Sequence, residues 1–236
     1  MTSTDSNLEI KDYYENGNLK SICLKNDLGL NGEYKIYHKN GKEKQISYYL
    51  NGLLHGRTTI WDEFGNILYE MDFLANKLNG PFIVYSQGIK NICMLYINGV
   101  LNGKYEVYSS NGNLIQSSTY FNNLLEGESK YFNETANTLI KQEFYKKGKL
   151  SGIVTTFYPN QTKMLEQEYL DGTLNGFSKF YSLDGSITEY KAYENGKVIY
   201  QKNFDSAGKE ISNSKSPTVK LSFASKIFGK LLNYKI

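Results

Sequence analysis

The stretch Tyr96–Tyr108, YINGVLNGKYEVY, holds the pattern from which the rest of the chain is built. Asn98-Gly99 sits between runs of Tyr, Ile, Val and Leu, and this dipeptide marks a two-residue hairpin because both residues accept the positive φ of a tight turn. Around Gly103, Tyr96 stands seven residues before, Leu101 two before and Tyr108 five after. The same arrangement recurs in both directions. Glycines preceded by a leucine and a polar residue stand at Gly32, Gly56, Gly80, Gly103, Gly127, Gly152 and Gly176, at intervals of 24, 24, 23, 24, 25 and 24. Such self-similarity identifies a repeat architecture and sets aside a reading of the 236 residues as one or two ordinary globules.

Three columns follow from this frame. Five residues after the glycines stand Tyr37, Trp61, Tyr85, Tyr108, Phe132, Phe157 and Tyr181, with Tyr13 and Phe204 in register outside them. Seven before stand Tyr49, Phe73, Tyr96, Tyr120, Tyr145 and Tyr169, with Tyr193 in register in the last unit and Lys25 in the first. Two before stand Leu30, Leu54, Leu78, Leu101, Leu125, Leu150 and Leu174. Each unit has two turns. One holds Asn40-Gly41, Phe64-Gly65, Gln87-Gly88, Asn111-Gly112 or Asp184-Gly185; the other holds Asn51-Gly52, Asn98-Gly99, Lys147-Gly148, Asp171-Gly172 or Asn195-Gly196. Ala136 and Gln161 replace the glycine of the first turn, Asn76 and Asn123 that of the second, and asparagine tolerates the left-handed region.

Two strands and two turns per unit predict an all-β fold: an elongated, single-layer antiparallel β-hairpin meander. Alternation along a strand puts the aromatic at five on the face opposite to positions two and four after the glycine, such as Tyr34 and Ile36. One face is expected to hold a packed stripe, and the other tyrosine rings with their hydroxyls in water. The domain reading is a segment 1–7, a repeat array over 8–208 of about eight units and a half, and a tail over 209–236.

The pattern resembles the MORN-repeat family in its variant form, carried by YYENGNLK at Tyr13–Lys20, YINGVLNG at Tyr96–Gly103 and GIVTTFYPNQTK at Gly152–Lys163. The resemblance implies a scaffold or adaptor, sometimes near membranes. Bacterial members of the variant form are commonly labelled antitoxin-like or immunity-like, and the resemblance implies that finer reading here. No catalytic residue carries over, because the shared motif consists of turn and packing residues.

Function classes narrow further on chemistry. Cys23 and Cys93 have no close thiol or imidazole partner, and His38 and His55 share no ligand spacing, so neither metal nor cofactor is expected. His55 reads as a turn residue and His38 as a solvated strand-end residue. No glycine-rich phosphate loop or nucleophile set stands out, and the chain is read as no enzyme. The start lacks a basic, apolar leader and no run is long enough to span a bilayer, which points to a cytoplasmic protein, peripheral to a membrane at most.

Charge is uneven. Residues 209–236 hold six lysines against Glu210 alone, a net +5; the whole chain is +3, which leaves the remainder at −2. No nucleic acid is expected on the repeat surface. Ser216-Pro217 signals a helix start, after which Leu221, Ala224, Ile227, Phe228, Leu231 and Leu232 share one side of a helical wheel and Lys226 and Lys230 the other. This short amphipathic C-terminal helix has three readings: a cover for the last strand, an anchor on an anionic membrane surface, or a partner-docking helix. Its candidate contacts are Lys226, Phe228, Lys230 and Leu231. The leading reading of the whole is a protein-binding scaffold, antitoxin-like or immunity-like in its finer form, with Tyr37, Trp61, Tyr85, Tyr108 and Tyr181 as the candidate surface. The alternative is a peripheral membrane protein using the tail.

Overall fold

The computed structural model describes residues 7–215, and every regular element in it is a β-strand. The expected C-terminal helix, with Lys226, Phe228, Lys230 and Leu231, lies outside the described residues. The chain divides into two compact units, Met1–Lys149 and Leu150–Ile236.

In the first unit antiparallel strands follow one another from Leu8–Tyr13 through Leu19–Asn26, Gly29–Tyr37 and Glu43–Leu50 up to Leu139–Lys146. Each pairs with the strands before and after it and packs chiefly on those two, which makes one open layer. The second unit repeats the arrangement from Gly152–Phe157 to Glu210–Lys215. The antiparallel meander read from the sequence is therefore what the chain forms.

What fixes the register is a pairing between the two most regular columns. Gly32 faces Tyr49 across the ladder, Gly56 faces Phe73, Gly80 faces Tyr96, Gly103 faces Tyr120 and Gly127 faces Tyr145. In the second unit Gly152 faces Tyr169 and Gly176 faces Tyr193. The ring opposite the glycine leans along the partner strand to the residue two further on. Tyr49 meets Tyr34 at 6.1 Å between centroids, Tyr96 meets Phe82 at 6.3 Å and Tyr120 meets Tyr105 at 5.6 Å. Aromatic pairs at such separations add stability beyond the area they bury.

The same glycines carry positive φ, between 84° and 132°, and bulge the opposite ladder. Met71 pairs with Phe82 and Phe73 with Leu78, so Asp72 confronts three residues, with Gly80 in the middle. A Cβ on Gly80 would lie 2.9 Å from the Cβ of Asp72, which Arg57 holds in a 2.9 Å ion pair. The leucine column then ties neighbouring hairpins together. The turn N–H groups of Gly52, Asn76, Gly99, Asn123 and Gly148 donate to the carbonyls of Leu30, Leu54, Leu78, Leu101 and Leu125 at 2.7–3.0 Å. Gly172 and Gly196 do the same to Leu150 and Leu174 in the second unit.

Turn chemistry matches the expectation with one displacement. Asn76 and Asn123 take φ of 65°, and Gln161 takes 68°. In the turn that is a residue longer, the left-handed position falls on Asn137 (φ 52°) and not on Ala136. Ala136 instead donates its N–H to the side chain of Asn133.

Replacing Gly80 with alanine is expected to destabilise the fold by about 1–3 kcal/mol, from strained φ plus a clash with a pinned neighbour. Gly127→Ala, where a Cβ meets nothing within 4 Å, should cost less. Urea melts of the two variants measure the difference, and equal costs would show that the bulge contact plays no part.

Candidate functional site

The aromatic column at five occupies one face, here called the back, at the strand ends before the longer turns. Tyr37, Trp61, Tyr85 and Tyr108 stand in the first unit and Tyr181 in the second, all half-buried. Three of the hydroxyls are not left to water, contrary to the expectation. Tyr85 donates to Glu70 at 2.8 Å, Tyr108 to Glu106 at 2.7 Å and Tyr181 to Glu166 at 2.5 Å. These carboxylates lie on the same face within reach of the rings. Burial, reinforced by the bond to Glu70, pushes the Tyr85 phenol up to about 12, so it stays a donor at neutral pH. Burial and Glu166 push Tyr181 in the same direction. Lys90 caps the Tyr108 ring with its ammonium 4.2 Å from the centroid.

His38 also departs from its expected solvated place. Its Nε2 lies 3.1 Å from the carbonyl of Trp61, to which it donates. The hydroxyls of Tyr14 and Tyr158, at the equivalent position of their repeats, donate to the carbonyls of Tyr37 and Tyr181 at 2.7 and 2.8 Å. The residue after the aromatic thus links successive repeats. His55 is exposed, its backbone N–H bonded to the Tyr48 carbonyl at 2.8 Å, as a turn-flanking residue should be.

The front face, which carries the glycine–aromatic pairs, is polar at its centre. Directly opposite residues form the row Met94, Tyr105, Ser118, Ser129 and Glu143. Ser118 and Ser129 are almost wholly covered. Glu143 is buried, accepts from Tyr145 at 2.7 Å and pairs with Lys141 at 2.5 Å. Burial opposes its charge, but the bonds from Lys141, Tyr145 and Tyr131 outweigh that and hold the carboxyl below its ordinary value of 4.5. The group is a satisfied structural carboxylate: one acid, with cation and donors already attached. Among the described residues no group of three His, Cys, Asp or Glu side chains is placed to hold a metal ion.

The back face of the first unit bears a feature that the sequence reading passed over. Six residues before successive glycines stand Leu50, Leu74, Ile97 and Phe121, and all are exposed, Phe121 to 57%. Tyr48, Leu95 and Phe144, eight before their glycines, are exposed on the same face. Leu53 and Leu124 lie directly opposite Leu50 and Phe121 across the short turns and are exposed too. The result is an apolar stripe beside the short turns, interrupted by Lys77 opposite Leu74, ended by Lys146 and bordered by exposed Asn51, Asn98 and Asn122. The signal was present as a fourth column at the 24-residue period. It was obscured because Asn26 and Lys146 interrupt it and because an apolar residue beside a turn looks like ordinary strand matter.

Comparison with known proteins bears on the repeat. Residues 7–24, 30–51 and 101–122 match the family described as the MORN repeat variant. No curated protein matches the chain. One similar solved structure is a mutant of S. aureus TarM in complex with fondaparinux, alpha-GlcNAc-glycerol and UDP, at 16% identity and a TM-score of 0.30, over 48% of this chain and 20% of that one. Another is TcdB2-TccC3-TEV, at 13% identity and a TM-score of 0.24, over 89% of this chain and 14% of that one. A third, TcdB2-TccC3-Cdc42, has 9% identity and a TM-score of 0.17, over 89% of this chain and 17% of that one. The matches thus span a fifth or less of those solved chains, and at such scores none bears on fold or function.

Glu143 makes acid stability testable. With its folded value lowered, its contribution is fully present above 4.5 and is lost as pH falls through the lowered value. Glu143→Gln is expected to cost about 1 kcal/mol at neutral pH. It should also flatten the loss of urea midpoint between about pH 6 and pH 3 relative to the parent. An identical pH profile in both proteins would contradict the assignment.

Proposed function

We propose that this chain of MORN-variant repeats is a non-catalytic protein-binding scaffold whose contact surface is the apolar stripe of the first unit. MORN repeats are in general associated with protein or membrane binding. The observation that carries the protein reading is the row Leu50, Leu74, Ile97 and Phe121, exposed at one place in successive repeats. Exposed apolar side chains gathered on one face and rimmed by polar residues are characteristic of association sites. A repeat array lays such residues out in a line, suited to an extended contact. Half-buried Tyr85 and Tyr108, with hydroxyls already engaged, hold the strands at the other margin of that face and offer their ring edges as secondary contacts.

The finer reading is an antitoxin-like or immunity-like role in the cytoplasm, in which the bound protein is a toxin held inactive. It rests on the resemblance to bacterial proteins of the variant type. The membrane alternative rests on the tail, which lies outside the described residues, and it enters as an outcome of the test.

Ile97→Lys with Phe121→Lys places two charges in the stripe at exposed positions, where substitutions change stability by roughly 0.5 kcal/mol or less. In cross-linking capture, a specific protein recovered with the parent should be reduced at least about tenfold with the double variant. Its recovery should be unaffected by Tyr37→Phe, and circular dichroism should be unchanged throughout. Equal recovery by the parent and the double variant would overturn the surface assignment. Binding to anionic vesicles with no protein captured would favour the membrane alternative over the scaffold reading.

A further inference from the structure

The first strand, Leu8–Tyr13, presents LEIKDY with every residue exposed, Leu8 to 65% and Ile10 to 40%. Among the described residues of its unit it pairs with Leu19–Asn26 on one side only. Its other side offers a row of backbone donors and acceptors, a template for a further strand. Elsewhere natural sheets blunt such edges with proline, bulges or inward-pointing charge. Here the one register shift, between Asp12 and Tyr13, falls at the end of the strand and leaves Leu8–Asp12 regular.

The sequence of this edge also selects its own partner. In an antiparallel pair of two copies centred on Ile10, Ile10 faces Ile10, Glu9 faces Lys11 twice and Leu8 faces Asp12 twice. Moving the centre one residue back sets Glu9 against Glu9, and one residue forward sets Lys11 against Lys11. Opposite charges directly across a ladder are stabilising and like charges destabilising, so one register among the three is favoured. Glu9 and Lys11 already lie on one face, 2.5 Å apart as an ion pair within the strand. In the paired state each gains a cross-strand counterion without changing face. Ile10 stands opposite Cys23 on the front face, where Cys23 in turn faces Tyr34. A second Ile10 would cover the exposed end of that row.

We propose that Leu8–Tyr13 is a homodimerisation edge, at which two copies of this chain join their sheets antiparallel about Ile10, with Glu9 and Lys11 setting the register. A closed two-fold contact of this kind uses one patch on both partners and leaves no further edge to propagate from that site. It is distinct from the apolar stripe proposed for heterologous binding, so the two readings stand or fall separately.

Sedimentation equilibrium of the full chain with charge reversals tests this directly. The parent is expected to shift towards twice its monomer mass as concentration rises through the micromolar range. Lys11→Glu and Glu9→Lys, each alone, place like charges opposite one another and should weaken self-association at least about tenfold. Mixed in equal amounts, the two variants restore both Glu–Lys pairs and should form a heterodimer at the parent's concentration. The double variant, with both charges exchanged, should dimerise like the parent. A parent that remains monomeric throughout, a dimer untouched by the single reversals, or a mixture that fails to associate would each overturn the proposal.

Discussion

The fold depends on one cross-strand contact: a glycine in a left-handed conformation facing an aromatic ring. Seven times, counting each unit by itself, the glycine of the period stands opposite Tyr or Phe. The glycine supplies the bulge that other residues would strain to make, and at Gly56, Gly80, Gly103 and Gly176 the missing side chain leaves room for Tyr48, Asp72, Leu95 and Glu168 on the preceding strand. The ring restores the apolar cover that a glycine forfeits. Because strand faces alternate, a slip of one residue would move every ring to the back face and leave every glycine uncovered. The pair therefore explains why the period is held so tightly while turn lengths vary.

Much of this was legible in the sequence. Gly103, Tyr96, Leu101 and Tyr108 occur at fixed offsets and repeat, so element type and turn positions follow from spacing alone. The rest depended on neighbours from other repeats. Alternation places Tyr85 on the back face, but only the approach of Glu70 from the preceding strand shows that its hydroxyl is occupied. His38 looked like a solvated end residue until the next repeat placed the Trp61 carbonyl at 3.1 Å. Ser118 and Ser129 are small and polar, and nothing in their own segments announces that they are among the most buried side chains. In a single layer, burial is decided by the size of flanking side chains: long rings beside a small residue cover it.

The same geometry explains where function can reside. Among the described residues neither sheet face is closed by a second layer, so each repeat exposes whatever its back-face positions carry. Where those positions are acidic and aromatic together, as at Glu106 and Tyr108, they satisfy each other. Beside the short turns the apolar side chains at Leu50, Leu74, Ile97 and Phe121 have no such neighbour among the described residues and remain exposed. Structural columns and the candidate contact column thus share one period but differ in exposure. The sequence alone shows the period, and the packed sheet shows the difference.

The most direct test of the central contact is a nuclear Overhauser measurement on the ring of Tyr120. Contacts are expected from that ring to the α-protons of Gly103 and to the ring of Tyr105. Contacts instead to the side chains of Lys104 or Glu106, which belong to the opposite face, would show a different register and contradict the glycine–aromatic pairing.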